Sequence, residues 1–239
     1  MDVSSDDVEA TAAFYGSLFG WDAVAMPDGG GYTMFLQDGK AVAAAGTSQS
    51  GAMPAWSTYI ATANADATAT SVKHAGGTVM AEPFDVLEAG RMAFASDSQG
   101  TPFGIWQANG HIGAQLANEP FAYCWAELRT ADIVASQSFY TEVFGWIPEA
   151  IGDDPGVVYR MQRNDDRIVG GIYEMDAMAP GWSVYFAVED TDATVAKAEE
   201  FGAMTVRPAE DSPYGRMAVL ADPDGAAFAV IRLAPEMTG

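Results

Sequence analysis

The sequence predicts an α+β fold of two tandem modules, each made of βα units followed by further strands. Two observations predict it. First, the chain is written twice: Phe14-Tyr15 and Phe19-Gly20-Trp21 return as Phe139-Tyr140 and Phe144-Gly145-Trp146, a shift of 125 residues (14 to 139). The same shift carries Gly90-Arg91-Met92-Ala93 onto Gly215-Arg216-Met217-Ala218, and Asp97 and Gly100 onto Asp222 and Gly225. Trp56-Ser57 and Asp66-Ala67-Thr68 return one residue further on, as Trp182-Ser183 and Asp192-Ala193-Thr194. A solenoid repeats every ~20–50 residues, so copies this far apart are domain-sized. Second, helical periodicity and strand-like alternation take turns within each copy. The copies divide as residues 1–115 and 116–239.

In the first module Val8–Phe19 reads as a helix and Trp56–Ala61 as an inner strand. Ala65–Ala75 is a second helix, closed by Gly76-Gly77, and Phe103–Gln107 is the last strand. Gly29-Gly30-Gly31 precedes a strand instead of opening a helix, so it is a turn and not a phosphate loop. Asn109–Phe121, with Gly110, Gly113 and Pro120, joins the modules. In the second module Tyr123–Arg129 is a short aromatic strand and Asp132–Phe144 a helix stopped by Gly145. Gly156–Gln162 and Arg167–Tyr173 form a strand pair around the turn Asn164-Asp165-Asp166. Trp182–Val188 alternates as a strand, and Thr191–Phe201 is a helix opened by Asp190 and closed by Gly202. Met204–Arg207, Met217–Ala221 and Phe228–Leu233 are further strands, the last two joined by the Asp222-Pro223-Asp224-Gly225 turn. Met1 aligns with Ala126, so the opening strand of the first module is expected to be clipped.

Composition narrows the function. Apolar residues make up 49% of the 239, enough for a core in each module, and no run approaches the ~20 needed to span a bilayer. The N-terminus MDVSSDDVEA has neither the basic nor the apolar region of a secretory signal, so a cytoplasmic location is expected. Lone Cys124 excludes an internal disulfide. A net charge of -22 repels phosphate backbones and anionic membranes, so neither nucleic acid nor membrane is an expected partner. The charge gives solubility or attracts a cationic ligand.

A strand, a helix ending in Phe-Tyr and Phe-Gly-Trp, and a late Asp-Pro-Asp-Gly turn before a final strand resemble the vicinal oxygen chelate superfamily. That family includes glyoxalase I, extradiol dioxygenases and bleomycin-resistance proteins. The resemblance implies paired βαβββ units that form an open, cup-shaped mixed sheet around a small-molecule pocket, with helices outside. It also implies pairing of the two modules within one chain, or a homodimer. Metal-using members of the family take ligands from the first strand of each βα unit and from the last strand, commonly His, Gln and Glu. Here the last-strand position falls on Gly104 and Ala229, the opening-strand position on Trp125, and the inner-strand position on Ser57 and Ser183. Glycine, alanine and tryptophan offer no metal donor, and two serines make a poor site. The two histidines, His74 and His111, have no second donor at strand or helix spacing. No metal or other cofactor is therefore expected.

Residues two apart on a strand share a face. The pocket is then expected to hold Trp125 with Glu127, Ser183 with Tyr185, Ser57 with Tyr59, Trp106 near Pro102 and Gly104, and Ala229 between Ala227 and Ile231. Small residues ringed by aromatics suit a flat apolar ligand. Glu127 is the candidate catalytic acid or base; its alternative role is a structural hydrogen bond. Asp2 is its counterpart in the first module. Arg91 and Arg216, at matched positions, pair with structural carboxylates or receive a ligand anion. Cys124 is expected on the opposite face, as a buried apolar thiol. The Met26, Met34, Met53, Met161, Met175 and Met178 group packs the core or forms an adaptable wall. The expected function is metal-independent binding of an apolar or aromatic metabolite or drug, for sequestration, resistance or metal-free transformation. The rival is a divalent-metal lyase or dioxygenase, and a third reading has the pockets filled by side chains.

Overall fold

The structure is a computed structural model that describes residues 1–27, 30–48, 52–150, 159–164, 167–174 and 180–237. The turn at Asp165-Asp166, the strand start at 156–158, Gly29, Met175 and Met178 lie outside the described residues. The first repeat forms β1 (Asp2–Ser5), α1 (Val8–Phe19), β2 (Asp22–Ala25), β3 (Thr33–Gln37), β4 (Lys40–Thr47), β5 (Ala55–Ser57), β6 (Tyr59–Ala61), α2 (Ala65–His74), β7 (Thr78–Val86), β8 (Gly90–Ser96) and β9 (Pro102–Ala108). The second forms β10 (Tyr123–Thr130), α3 (Ile133–Phe144), β11 (Ile147–Ala150), β12 (Tyr159–Asn164), β13 (Arg167–Glu174), β14 (Gly181–Ala187), α4 (Thr191–Glu200), β15 (Met204–Ser212), β16 (Gly215–Ala221) and β17 (Ala227–Leu233).

The helices form for local reasons. Asp7, Asn64, Asp132 and Asp190 sit at the N-caps, and each side chain accepts the backbone N–H three residues on. Each such cap contributes about 0.5–2 kcal/mol. Gly20 and Gly145 end α1 and α3 in the left-handed conformation, at φ 78 and 69. The recurrent Phe-Gly-Trp thus holds a helix stop whose flanking aromatics are free to turn inward.

Two compact units result, and neither is a contiguous half of the chain. Unit 1 comprises Met1–Ser57, Gly113–Cys124 and Val184–Gly239; unit 2 comprises Thr58–Ile112 and Trp125–Ser183. Each unit draws one βαβββ half from each repeat. Unit 1 holds strands in the orders β2-β3-β4-β1-β5 and β14-β17-β16-β15, and unit 2 in the orders β11-β12-β13-β10 and β6-β9-β8-β7. The opening strand of each half runs parallel to its last strand, with Val3 opposite Ala45, Tyr185 opposite Ala229, Glu127 opposite Gly171, and Tyr59 opposite Gly104. A parallel pair needs a long crossover, which the intervening helix and strands supply. The fold is therefore the expected α+β arrangement of paired βαβββ units with mixed sheets.

The recurrent aromatics knit each unit across the repeats. In unit 1 the fully buried Tyr15 donates to Asp222 Oδ2 at 2.9 Å and accepts from Trp56 Nε1 at 2.9 Å. In unit 2 Tyr140 donates to Asp97 Oδ2 at 3.3 Å and accepts from Trp182 Nε1 at 3.2 Å. A tyrosine and tryptophan of one copy therefore meet the turn aspartate of the other copy, once in each direction. Around Tyr15 pack Phe14, Trp21, Phe35 and Phe228; around Tyr140 pack Phe103, Phe139 and Trp146.

Some elements differ from the sequence reading. The inner strand at Trp56–Ala61 is two strands that part at Thr58, where the chain passes between units. The strand at Met204 does not stop at Arg207 but continues through Pro208 to Ser212, and β7 likewise contains Pro83. Both are terminal in their strand order and shift register near the proline, so the missing N–H goes unmissed. The opening strand β1 is short but pairs on both sides, with β4 and β5. The connection after residue 112 is tied down within unit 1: Gln115 exchanges bonds with Ala41 at 2.7 Å, and Trp21 Nε1 donates to Phe121 O at 2.8 Å. β2 has every residue exposed and so carried no burial pattern to read.

Candidate functional site

Strand β10 sets the geometry. Its burial alternates strictly: Cys124, Ala126, Leu128 and Thr130 are buried, while Tyr123, Trp125, Glu127 and Arg129 are half-buried on the other face. Cys124 lies on the core side as expected, with its thiol 3.5 Å from Tyr185 O, and burial pushes its pKa up to about 12. Such a thiol is a packing group and not a nucleophile.

The expected site residues divide between the units. Unit 2 holds Tyr59, Trp106, Trp125, Glu127 and Ser183, all half-buried on strands. Tyr59 lies against Phe94 at 5.7 Å between ring centroids. It also covers Gly104: a Cβ there would stand 2.5 Å from Tyr59 Cε1. Trp106 pairs with Met92 across the sheet, and its Nε1 donates to His111 O at 2.9 Å. Ser183 Oγ accepts from Arg129 Nη1 at 3.0 Å.

Unit 1 holds Ser57, Tyr185 and Ala229. Tyr185 is 5% exposed and Ala229 1% exposed, whereas Ser57 is half-buried. Asp2, the counterpart of Glu127, accepts a hydrogen bond from Tyr32 Oη at 3.0 Å. Burial first, and the Asp2 charge second, push the Tyr32 phenol far above its ordinary value. The expected pairings of Ser57 with Tyr59 and of Ser183 with Tyr185 are therefore separated. The chain changes unit inside each inner strand, which alternation alone does not signal.

The other candidates find structural roles. Arg91 grips Asp66 at 2.8 and 3.0 Å and Asp85 at 2.9 Å. Arg216 does the same with Asp192 at 2.6 and 2.8 Å and Asp211 at 3.2 Å. These arginines hold the Asp66 and Asp192 carboxyls below the usual carboxylate range. The recurrent Gly-Arg-Met-Ala and Asp-Ala-Thr motifs are thus two ends of one ion cluster, built twice. His74 is exposed at the end of α2. His111 is half-buried, and desolvation lowers its pKa. A depression of about 360 Å³ lies in unit 1, lined by Ala10, Phe14, Ser17, Phe201, Pro223 and Asp224. It is on the helix side, and Asp224 there already accepts from Ser5 and Thr11.

Two family models cover most of the chain: residues 1–106 match the Glyoxalase/Bleomycin resistance protein/Dioxygenase superfamily, and residues 125–231 match the Glyoxalase-like domain. The chain belongs to this superfamily, as a member with two modules. It is 42% identical over 246 residues to the putative glyoxylase CFP32 of Mycobacterium bovis, covering 99% of this chain and 94% of that protein. It is 40% identical over 252 residues to the anthracycline biosynthesis protein DauV of Streptomyces sp. strain C5, covering 97% of this chain and 91% of the relative. Its fold matches the crystal structure of the Mn(II)-bound glyoxalase from Novosphingobium aromaticivorans with a TM-score of 0.65 at 18% identity, covering 99% of this chain and 87% of that one.

Metal-using superfamily members supply a last-strand carboxylate. Here that position in unit 2 is Gly104, and the Tyr59 ring occupies the space a side chain would need. In unit 1 it is Ala229, beside the equivalent Tyr185. Among the described residues, no group of three or more His, Cys, Asp or Glu side chains is placed to hold a metal ion. Among the described residues, Gly104, Trp125 and Ala229 offer the superfamily's metal no side-chain donor at those positions. Nor, among the described residues, is any helix long and apolar enough to cross a membrane.

One residue of the unit 2 face escaped the sequence reading. Arg129 follows Glu127 by two on β10 and so shares its face. The spacing argument that selected Trp125 and Glu127 would have reached it with one more step.

Proposed function

We propose that the chain is a small-molecule-binding protein of its superfamily that acts without a metal, and that the strand face of unit 2 holds a flat, largely apolar or aromatic molecule. Its role would be sequestration or resistance, or a metal-free transformation. The observation that carries this is the Tyr59 ring standing over Gly104, where a metal-using relative places its carboxylate. An aromatic surface replaces a charge at the centre of the site. Tyr59, Trp106 and Trp125 remain half-buried there, whereas Tyr185 and Ile231, the unit 1 counterparts of Tyr59 and Trp106, are buried. Aromatic walls favour flat rings by about 0.5–1.5 kcal/mol per contact beyond area burial. That DauV is named for anthracycline biosynthesis, anthracyclines being polycyclic aromatics, supports the same ligand class. Glu127, beside Trp125 on this face, is the candidate acid or base for any proton transfer.

The name of CFP32 favours a second reading, a metal-dependent lyase of the glyoxalase type. Thermal-shift measurements separate the two. An anthraquinone probe should raise the melting temperature, approaching 2.7 kcal/mol of stabilisation at about a hundredfold excess over its Kd. Mn(II), Ni(II) and Zn(II) should not. Stoichiometric metal in the purified protein, or chelator-sensitive turnover of a methylglyoxal–glutathione adduct, would establish the second reading instead.

A further inference from the structure

We infer that the molecule held on the unit 2 face carries an oxyanion on an aromatic frame, and that Arg129 receives it; this rests on the small-molecule reading above. Acidic residues outnumber basic ones by 33 to 11, so a cation in this chain is readily claimed by a carboxylate. Arg91 and Arg216 each hold two aspartates, and Arg207 pairs with Glu210. Arg129 is different. Its Nη1 donates to a neutral hydroxyl, Ser183 Oγ, at 3.0 Å, and its Nε is buried with no hydrogen-bond partner. A guanidinium presents a planar fork that matches a carboxylate bidentately. A fork that meets a hydroxyl at one tine and nothing at another is suited to a ligand oxyanion.

Placement supports this. Arg129 shares a face with Trp125 and Glu127 and sits opposite Tyr173 on β13. Gly181 lies beside it, with a would-be Cβ 3.3 Å from Arg129 Nη2, so no side chain crowds the guanidinium from that position. The two copies also differ where they should. Arg129 corresponds to Ser4 in unit 1, whose hydroxyl is used by Ala55, accepting from its N–H at 3.0 Å and donating to its carbonyl at 3.2 Å. Arg129 is a cation with an unsatisfied nitrogen, whereas its counterpart is a serine whose hydroxyl is already used. The chain's net charge of -22 opposes anions at long range, so a local cation is needed to hold one. Glu127, one pleat away, is the like charge that a bound oxyanion would feel.

Calorimetric titration of the full chain at pH 7 with naphthalene-2-carboxylate and with neutral 2-naphthamide tests the inference. Wild type should bind the carboxylate at least about tenfold more tightly, a difference of 1.4 kcal/mol. Arg129→Gln should abolish this preference while leaving amide affinity within about twofold, and Arg129→Lys, which keeps the charge but not the fork, should fall between. Glu127→Gln, which removes the neighbouring like charge, should strengthen carboxylate binding relative to the amide. Melting curves establish that each variant is folded; should Arg129→Gln unfold, the wild-type pair and Arg129→Lys decide. Equal affinities in wild type, a preference that survives Arg129→Gln, or weaker carboxylate binding in Glu127→Gln would overturn the anion assignment alone. Binding of neither probe by wild type would overturn the small-molecule reading with it.

Discussion

Replacing Tyr15 by phenylalanine tests the contact between repeats on which unit 1 is built. The hydroxyl is fully buried and makes two bonds of 2.9 Å, donating to Asp222 and accepting from Trp56. The ring remains, so its edge and stacking contacts with Phe14, Trp21, Phe35 and Phe228 are kept. What is lost is polar. The Trp56 indole N–H is left buried without a partner, which costs about 1–3 kcal/mol. Asp222 loses one donor but keeps the backbone N–H groups of Asp224 at 3.1 Å and Ala226 at 2.8 Å, so its loss is the smaller. The expected total is about 2–3 kcal/mol, the unsatisfied donor plus a net hydrogen bond. Urea unfolding followed by tryptophan fluorescence reads it as a lower midpoint at unchanged slope. Tyr140→Phe is an internal control. Its bonds are longer, at 3.3 and 3.2 Å, so it should cost less, about 1–2 kcal/mol. A Tyr15→Phe loss under about 0.5 kcal/mol, below that of an ordinary buried hydrogen bond, would refute the reasoning. So would a Tyr140→Phe loss that exceeds it.

Three further outcomes are expected. Gly104→Ala drives a methyl into the Tyr59 ring and should destabilise by about 1–3 kcal/mol, with Tyr59→Ala in the same chain relieving it; additive losses in the double variant would contradict the close approach. Burial raises the Asp222 carboxyl above its ordinary value of 3.8, so its favourable contribution is complete below that value and lost as pH rises through the raised one. Wild-type stability relative to Asp222→Asn should therefore fall with rising pH across that window, and a flat difference in a urea series would count against it. The Asp66 and Asp192 carboxyls, held low by their arginines, act in the opposite sense, stabilising above 3.8 and failing as pH drops through their lowered values. With its thiol at about 12, Cys124 should react with a disulfide reagent at pH 8 only after urea unfolding; rapid labelling of the native chain would show the thiol accessible.

The fold was largely legible because its signals are local. Asp7, Asp132 and Asp190 announce helix starts, Gly20 and Gly145 announce stops, and alternation in Tyr123–Arg129 assigns faces correctly down to Cys124. Where the reading stopped short, a weak local signal met a tertiary exception. Pro208 reads as a strand breaker, but at the end of the strand order it does no harm. The sequence names candidate site residues but not the unit that each one joins. Ser183 and Tyr185 belong to one strand by every local rule, yet lie in different units. Alternation places Arg129 on the face of Trp125 and Glu127, but only the structure shows that its partner is a hydroxyl and not a carboxylate.

By itself the sequence determined the duplication, the helix and turn residues that recur in both copies, and non-ligating side chains at Gly104, Trp125 and Ala229. The tertiary structure alone decided which copy's tyrosine meets which copy's aspartate. Tyr15 and Tyr140 are equivalent, as are Asp97 and Asp222, so local chemistry serves Tyr15–Asp97 as well as Tyr15–Asp222. Identical partners give no preference in a linear text. The choice comes from where the chain passes between units, at Ser57–Thr58 and Ser183–Val184, which sends the halves of each repeat to different cores. The two faces also differ in cover: Tyr185 is buried in one, whereas Tyr59, Trp125 and Arg129 are half-buried in the other.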